Sequence, residues 1–312
     1  MGVLAKLIGT VVVLGVAAAG VGWYITGSNR LEASEVPAEG DATRGERIFW
    51  AGGCVSCHAR PKSTGDALLE LAGGVELNTP FGKFVAPNIS SDPTDGIGKW
   101  SVADFANAML RGVSPAGEHY YPAFPYASYA RMNSADVGDL YAFMKTLPAV
   151  AGKAPDHELD FPFNIRRGLG LWKLINLSPE PVVALAADAP EPVKLGRYLV
   201  EGPGHCGECH TPRDFMGGAV KAEWLAGAAA AEGQGNIPNL TPHAEGLTWT
   251  EGEIVTFLTD GTTPDFDVVG GSMAEVVSNM SKLSADDRAA IAAYLKAIPA
   301  HPNGYPAKKP AS

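Results

Sequence analysis

The chain has 312 residues, 46% of them apolar, with 24 prolines and 37 glycines, enough for two or three small cores joined by much loop. Its 24 basic and 34 acidic residues give a net charge of −10, which argues against a nucleic-acid partner, because phosphate binding is driven by Lys and Arg. No glycine-rich phosphate loop precedes a helical pattern, so nucleotide chemistry has no support either.

The first predicted element is a helix over residues 7–25, LIGTVVVLGVAAAGVGWYI, which carries no charge. Rising ~1.5 Å per residue, it nearly matches a ~30 Å hydrocarbon core. Trp23 and Tyr24 at its far end suit a membrane interface. The competing reading is a cleaved signal peptide, with AAA at 17–19 as the cleavage site. The apolar run continues past that site, which favours a retained anchor. Either reading exports everything after about residue 28, so the expectation is a single-pass protein of the inner membrane with its bulk in the periplasm.

Beyond the apolar run the chain holds an internal repeat. The first copy runs RGERIFWAGGCVSCH, APNISSDPTDGIGKWSVADFANAMLRG and MNSADVGDLYAFMKTLPA. The second runs KLGRYLVEGPGHCGECH, IPNLTPHAEGLTWTEGEIVTFLTDG and KLSADDRAAIAAYLKAIPA. Cys54 and Cys206 are 152 positions apart, Asn88 and Asn239 151, Trp100 and Trp249 149, Ser134 and Ser284 150. In each copy a short amphipathic helix leads into CxxCH, and a long Pro- and Gly-bearing loop comes next. A helix then opens at Ser101 or Thr250, with Asp104 or Glu253 placed three residues on to complete a capping box. A last helix starts at Ser134 or Ser284 and is stopped by Pro148 or Pro299. No hairpin or alternating strand run stands out, so the expected fold is mostly α. The expected divisions are an anchor over 1–27, a first domain over 28–150, a connector over 151–188, a second domain over 189–302 and a tail over 303–312.

All four cysteines, Cys54, Cys57, Cys206 and Cys209, belong to the two CxxCH units. Zinc needs four ligands and one unit supplies three. A thioredoxin-like dithiol needs alternating strands and helices, which the pattern lacks. Covalent haem explains every position: both sulfurs form thioethers to the vinyl groups, and the adjacent imidazole reaches the iron. Two haems are therefore expected, on Cys54, Cys57 and His58 and on Cys206, Cys209 and His210. Each also supplies apolar surface to a domain with little core of its own.

A methionine sulfur as sixth ligand would close each iron for electron transfer. Met109 and Met144 read as helix-packing residues, and Met216 lies too close to His210. Met132, after the loop YYPAFPYASYAR, is the candidate for the first iron. For the second, aligning the two SAD caps sets Lys282 opposite Met132; internal symmetry then leans to Met280, with Met273 open as the other choice.

The stretches ELNTPFGKFVAPNISSDPTDGIGKWS, YYPAFPYASYARM, FPFNIRRGLGLWKL and GGSMAEVVSNMSKLSADDRAAIAAYL resemble the membrane-associated multihaem cytochrome c subunits of bacterial periplasmic dehydrogenases that oxidise alcohol, gluconate, fructose or aldehyde. The resemblance covers nearly everything after the anchor. It implies two tandem class I cytochrome c-like domains after an N-terminal transmembrane helix. The ligand methionines it implies fall on Met132 and Met273. The three-haem relatives carry a third CxxCH that this chain lacks, so direct quinone reduction does not carry over. The connector piece FPFNIRRGLGLWKLINL reads either as a belt across both domains or as a contact for a partner or for haem propionates. Arg60 and Arg213 are candidate propionate partners or surface residues, and Trp100 and Trp249 read as pocket packing or propionate donors. The remaining histidines, His119, His157, His205, His243 and His301, read as loop residues. The expected function is transfer of electrons from a periplasmic dehydrogenase towards the respiratory chain, with the quinone pool, a soluble cytochrome c or a terminal oxidase as acceptor. The rival reading is a dihaem enzyme of peroxidase type with one open haem.

Overall fold

A computed structural model describes residues 2–37, 40–230 and 235–305, so residues 306–312 of the expected tail lie outside the described residues. Helix α1 (Val3–Ile25) is exposed over most of its length, touches the rest of the protein near its C-terminal end, and is long and apolar enough to cross a membrane. The first half then runs α2 (Ala42–Ala51), α3 (Cys54–His58), α4 (Val102–Arg111), α5 (Tyr126–Tyr129) and α6 (Ser134–Met144). After a connector holding α7 (Leu169–Asn176), the second half repeats the order as α8 (Glu191–Glu201), α9 (Gly207–His210), α10 (Glu251–Asp260), α11 (Ser272–Met280) and α12 (Ala285–Ala297).

Local chemistry sets these boundaries. The Asp41 side chain accepts from the Arg44 N–H and opens α2. Both expected capping boxes are present, Ser101 with Asp104 on α4 and Thr250 with Glu253 on α10. Gly112 (φ +59°) and Gly261 (φ +81°) close those two helices in the left-handed conformation that favours glycine.

The structure adds a small sheet that the sequence pattern did not announce. Strands β1 (Glu76–Thr79) and β2 (Gly82–Val85) form a hairpin turning at Pro80 and Phe81, and β3 (Glu158–Leu159) pairs with β2 from the connector. Each strand is too short to show a period. Gly82 explains the third strand, since a methyl group there would fall 2.5 Å from the Glu158 carbonyl oxygen. In the second half only the short pair β4 (Ala228–Ala229) and β5 (Asn236–Ile237) stands in its place among the described residues.

In each half the first and last helices cross in direct backbone contact. A methyl group at Gly45 would sit 2.0 Å from the Asp139 carbonyl oxygen, and one at Gly196 would sit 1.9 Å from that of Ala290. These crossing partners are 151 positions apart in both cases, and this sets the true register of the repeat. Helix α6 therefore begins one residue earlier in the repeat than the SAD alignment implies. Met132 stands opposite Leu283 rather than Lys282, because the Met132 and Leu283 N–H groups donate to the matching carbonyls of Tyr129 and Met280.

Each half encloses its own core. Ile48, Phe49, Leu71, Val137 and Leu140 are buried in the first, and Leu199, Leu225, Ile291 and Tyr294 in the second. Trp50 packs against both cores and links the halves. Replacing Gly45 or Gly196 by alanine should destabilise the protein by about 2 kcal/mol or more, overpacking outweighing the ~1 kcal/mol gained in helix propensity. Urea denaturation of each variant measures it, and the expected shift is in the midpoint rather than the slope.

Candidate cofactor sites

Each CxxCH turn hangs from the end of a glycine-crossed helix. Gly53 (φ +56°) turns the chain from α2 into α3, and His205 (φ +39°) does so before α9. The two turns are then clamped in the same way. The Gly73 N–H donates to the His58 carbonyl at 2.7 Å, and the Gly227 N–H to that of His210 at 2.8 Å. The His58 Nδ1 lies 2.8 Å from the Pro87 carbonyl, and the His210 Nδ1 2.8 Å from that of Pro238. A carbonyl only accepts, so Nδ1 carries the proton and Nε2 keeps its lone pair. Burial lowers both histidines from their ordinary pKa, against the pull of the proline carbonyl, so both rings are neutral near pH 7. Neutral imidazole with Nδ1 held by a carbonyl is the form in which histidine binds a metal.

The cysteines point the same way. Burial pushes the Cys54 and Cys206 thiols up to about 12, so neither populates the thiolate needed for dithiol exchange at neutral pH. Among the described residues, no group of three or more His, Cys, Asp and Glu side chains is placed to hold a bare metal ion. The residues fit a covalently held porphyrin: two sulfurs and one oriented imidazole on a turn whose Val55, in the first half, is packed into a core.

The methionines divide between core and edge. Met132 is buried in the same cluster that Cys54 packs against, together with Met109 and Met144. Met280 is buried in the second cluster, against which Cys206 packs. Met273 is half-buried in the first turn of α11, just after Gly271 (φ +62°). The repeat carries one more correspondence, which the SAD alignment hides. The Tyr120 N–H donates to the Gly112 carbonyl and the Val269 N–H to that of Gly261, an offset of 149. Carried forward, that offset sets Phe124 in the place of Met273. Two extra residues then precede the offset of 151, which pairs Tyr129 with Met280. The glycines that close α4 and α10 are the sequence signal that would have shown this.

Several expected candidates are occupied elsewhere. Arg213 pairs with Glu208, whereas Arg60 lies 3.8 Å from Glu70. Trp100 packs against the first core and its carbonyl accepts from the Tyr141 hydroxyl; Trp249 meets Phe257 edge-on, with ring centres 5.2 Å apart. His119 is buried against the Thr26 carbonyl, and the His157 Nδ1 accepts from the Val85 N–H. The His205 Nε2 reaches the Gly52 carbonyl, and the His243 Nδ1 accepts from the Glu245 N–H. Asn88 and Asn239, marked only by recurrence in the sequence, tie each post-CxxCH loop to its domain's exit. Asn88 donates to the Val150 and Gly152 carbonyls, and Asn239 to that of His301.

Each CxxCH turn also bonds to the other half across a near-twofold interface. The Asn279 Nδ2 donates to the Ser56 Oγ at 2.8 Å, while the Ser128 Oγ donates to a Glu208 carboxylate oxygen at 2.6 Å. Ser56 and Glu208 are the second spacers of the two motifs, and Ser128 and Asn279 are 151 positions apart. Around this centre the Arg47 guanidinium grips Asp287 with bonds of 2.6 and 2.9 Å, and the Tyr198 hydroxyl donates to Asp136.

Small helical cores closed around a CxxCH turn are the build of a c-type cytochrome. The family model for cytochrome c matches residues 42–148. Over 261 residues the chain is 54% identical to a diheme cytochrome c-type protein of Cereibacter sphaeroides, an alignment covering 84% of this chain and 87% of that one. It is 40% identical to the cytochrome c subunit of the quinone-dependent alcohol dehydrogenase of Gluconobacter oxydans, over 84% of this chain and 55% of that subunit. It is 33% identical to the fructose dehydrogenase cytochrome subunit of Gluconobacter japonicus, over 83% of this chain and 52% of the other. The chain belongs to the cytochrome c family, carries covalently bound haem c and serves electron transfer. It spans about half the length of the two dehydrogenase subunits.

Arg47→Leu should leave the Asp287 carboxylate buried without its partner, at a cost of about 2 kcal/mol. The denaturation curve should then divide as the halves uncouple, which haem absorbance and circular dichroism recorded together will detect.

Proposed function

We propose that the protein is a membrane-anchored dihaem cytochrome c that relays electrons from a periplasmic dehydrogenase to the respiratory chain. It comprises two class I domains, over 28–150 and 189–302, tethered by α1. The observation that supports this reading is that each CxxCH turn is bonded to the other half, Ser56 to Asn279 and Glu208 to Ser128, while His205, beside Cys206, reaches the carbonyl of Gly52, two residues before Cys54. Haem c, where bound, supplies one-electron redox chemistry between ferric and ferrous iron. Cys54, Cys57 and His58 hold one group, and Cys206, Cys209 and His210 the other. Burial keeps both imidazoles neutral, and the proline carbonyls orient them and raise their strength as ligands. The acceptor is the quinone pool, a soluble cytochrome c or a terminal oxidase, and the relatives' names support a dehydrogenase as donor.

Met132 and Met273 are the proposed sixth ligands. Met273 begins a helix behind a flexible Gly270–Gly271 pair, whereas Met280 fills a core position that Tyr129 fills in the first half. In the first half Phe124 takes the equivalent place, so the sulfur comes from Met132, further along the loop. Met273→Ala should remove roughly half of the methionine–iron charge-transfer absorbance, one haem of two, and Met132→Ala the other half. Both reduced haems of the unaltered protein should resist carbon monoxide. Rapid carbon monoxide binding at one haem, with peroxide turnover, would instead support a dihaem enzyme with one open haem. Purification of the tagged protein from membranes should bring down the dehydrogenase.

A further inference from the structure

The connector carries an apolar face left uncovered among the described residues. On α7, Gly170, Trp172 and Lys173 are buried, while Leu171, Leu174 and Ile175 are 49%, 63% and 68% exposed. Spacing of three and four residues puts these three side chains on one side of the helix. Just upstream, Phe161 is 78% exposed and Ile165 51%. A contiguous apolar patch on a soluble surface marks a contact.

The anchor helix shows what covers it. Gly170 packs so closely on the residue where α1 ends that a methyl group there would fall 2.4 Å from the Thr26 carbonyl oxygen. The Arg167 guanidinium lies 4.0 Å from the centre of the Trp23 ring, and it donates to the Thr26 hydroxyl and to the Trp23 carbonyl. From the other side, the buried His119 ring also meets the Thr26 carbonyl. The segment is therefore fixed to the point at which α1 would leave a bilayer, beside the exposed interfacial pair Trp23 and Tyr24. The Lys173 ammonium bonds to the carbonyls of Arg111 and Gly112, which locks α7 to the first half with its apolar side outward.

The geometry points to residues 161–175 as a second membrane contact: an interfacial helix that lies in the lipid headgroup region beside the anchor and fixes how the haem domains face the bilayer. The contact presupposes that α1 is retained and spans the membrane, as proposed above. A single helix alone would leave the domains free to swing; two contacts joined through Thr26, Arg167 and Gly170 make one rigid footing.

The test uses the full-length, haem-loaded protein in vesicles of phosphatidylcholine and phosphatidylglycerol. A bilayer-confined carbene photolabel is activated and the peptides are read by mass spectrometry. Label is expected in 7–25 and in 161–176, at least fivefold above the α12 peptide. In the triple variant Leu171→Asp, Leu174→Asp, Ile175→Asp the connector signal should fall at least fivefold, while 7–25 stays labelled and the haem spectrum is unchanged. Strong label in 7–25 with 161–176 at the α12 level would overturn the lipid contact, leaving that face to a protein partner. A 7–25 peptide that is absent or unlabelled would overturn the anchoring itself, and the lipid contact with it.

Discussion

Where α2 crosses α6 and α8 crosses α12, the absent side chains of Gly45 and Gly196 let two backbones touch, and the cofactor turn of each half hangs from the end of the glycine-bearing helix. The closeness has a direct consequence for the site. A crossing held by side chains could settle at several distances; one held by backbone atoms has a single distance. Because α2 ends only three residues before Cys54, and α8 ends five before Cys206, that distance passes into the placement of both CxxCH turns. Asp139 adds a polar lock in the first half. Its buried carboxylate accepts from the Asp41 N–H and from the Arg44 guanidinium, at 2.6 and 2.7 Å.

The same helices build the contact between halves. Arg47 lies two residues after Gly45, and Tyr198 two after Gly196, so each reaches an acidic residue in the first turn of the other half's last helix. The glycine positions thus set the internal shape of each half and also the docking of one on the other. Buried ion pairs contribute little net stability once desolvation is counted, but they penalise misdocked arrangements that would leave a carboxylate unpaired. Asp287, 3% exposed, is such a carboxylate. The polar centre therefore acts on geometry more than on stability, fixing how the CxxCH turn of one half sits against the other half.

Much of this was legible in the residues. The CxxCH pair, the capping boxes at Ser101 and Thr250 and the apolar N-terminal run are local patterns in which spacing and chemistry coincide. The hairpin at Thr79–Gly82 was not legible, because its strands are only four residues long and its third strand comes from the distant Glu158. The repeat was visible but its register was not. The SAD triplets gave an offset of 150, whereas the crossing glycines demand 151, since surface caps tolerate a one-residue shift that a backbone contact does not. The Pro87 and Pro238 carbonyls were equally hidden: the recurring PN pairs mark their place, but only the fold brings them to the imidazoles.

Once the register is right, the symmetry breaks in an informative place. The histidine sides of the two sites match bond for bond: the glycine N–H on the histidine carbonyl, the proline carbonyl on Nδ1 and the asparagine ties to each domain's exit. Matched hydrogen bonds give matched ligand strength, so this side would add little difference between two haems bound as proposed. The opposite side diverges. Phe124 faces Met273 in the repeat, Tyr129 faces Met280, Met132 faces Leu283, and the second half holds two more residues between them. The spacer also differs, with Val55 filling space that Gly207 leaves to the Trp224 ring. On the proposed dihaem reading, the duplication has kept the histidine face constant and varied the opposite face, where a sixth ligand would tune each haem's potential.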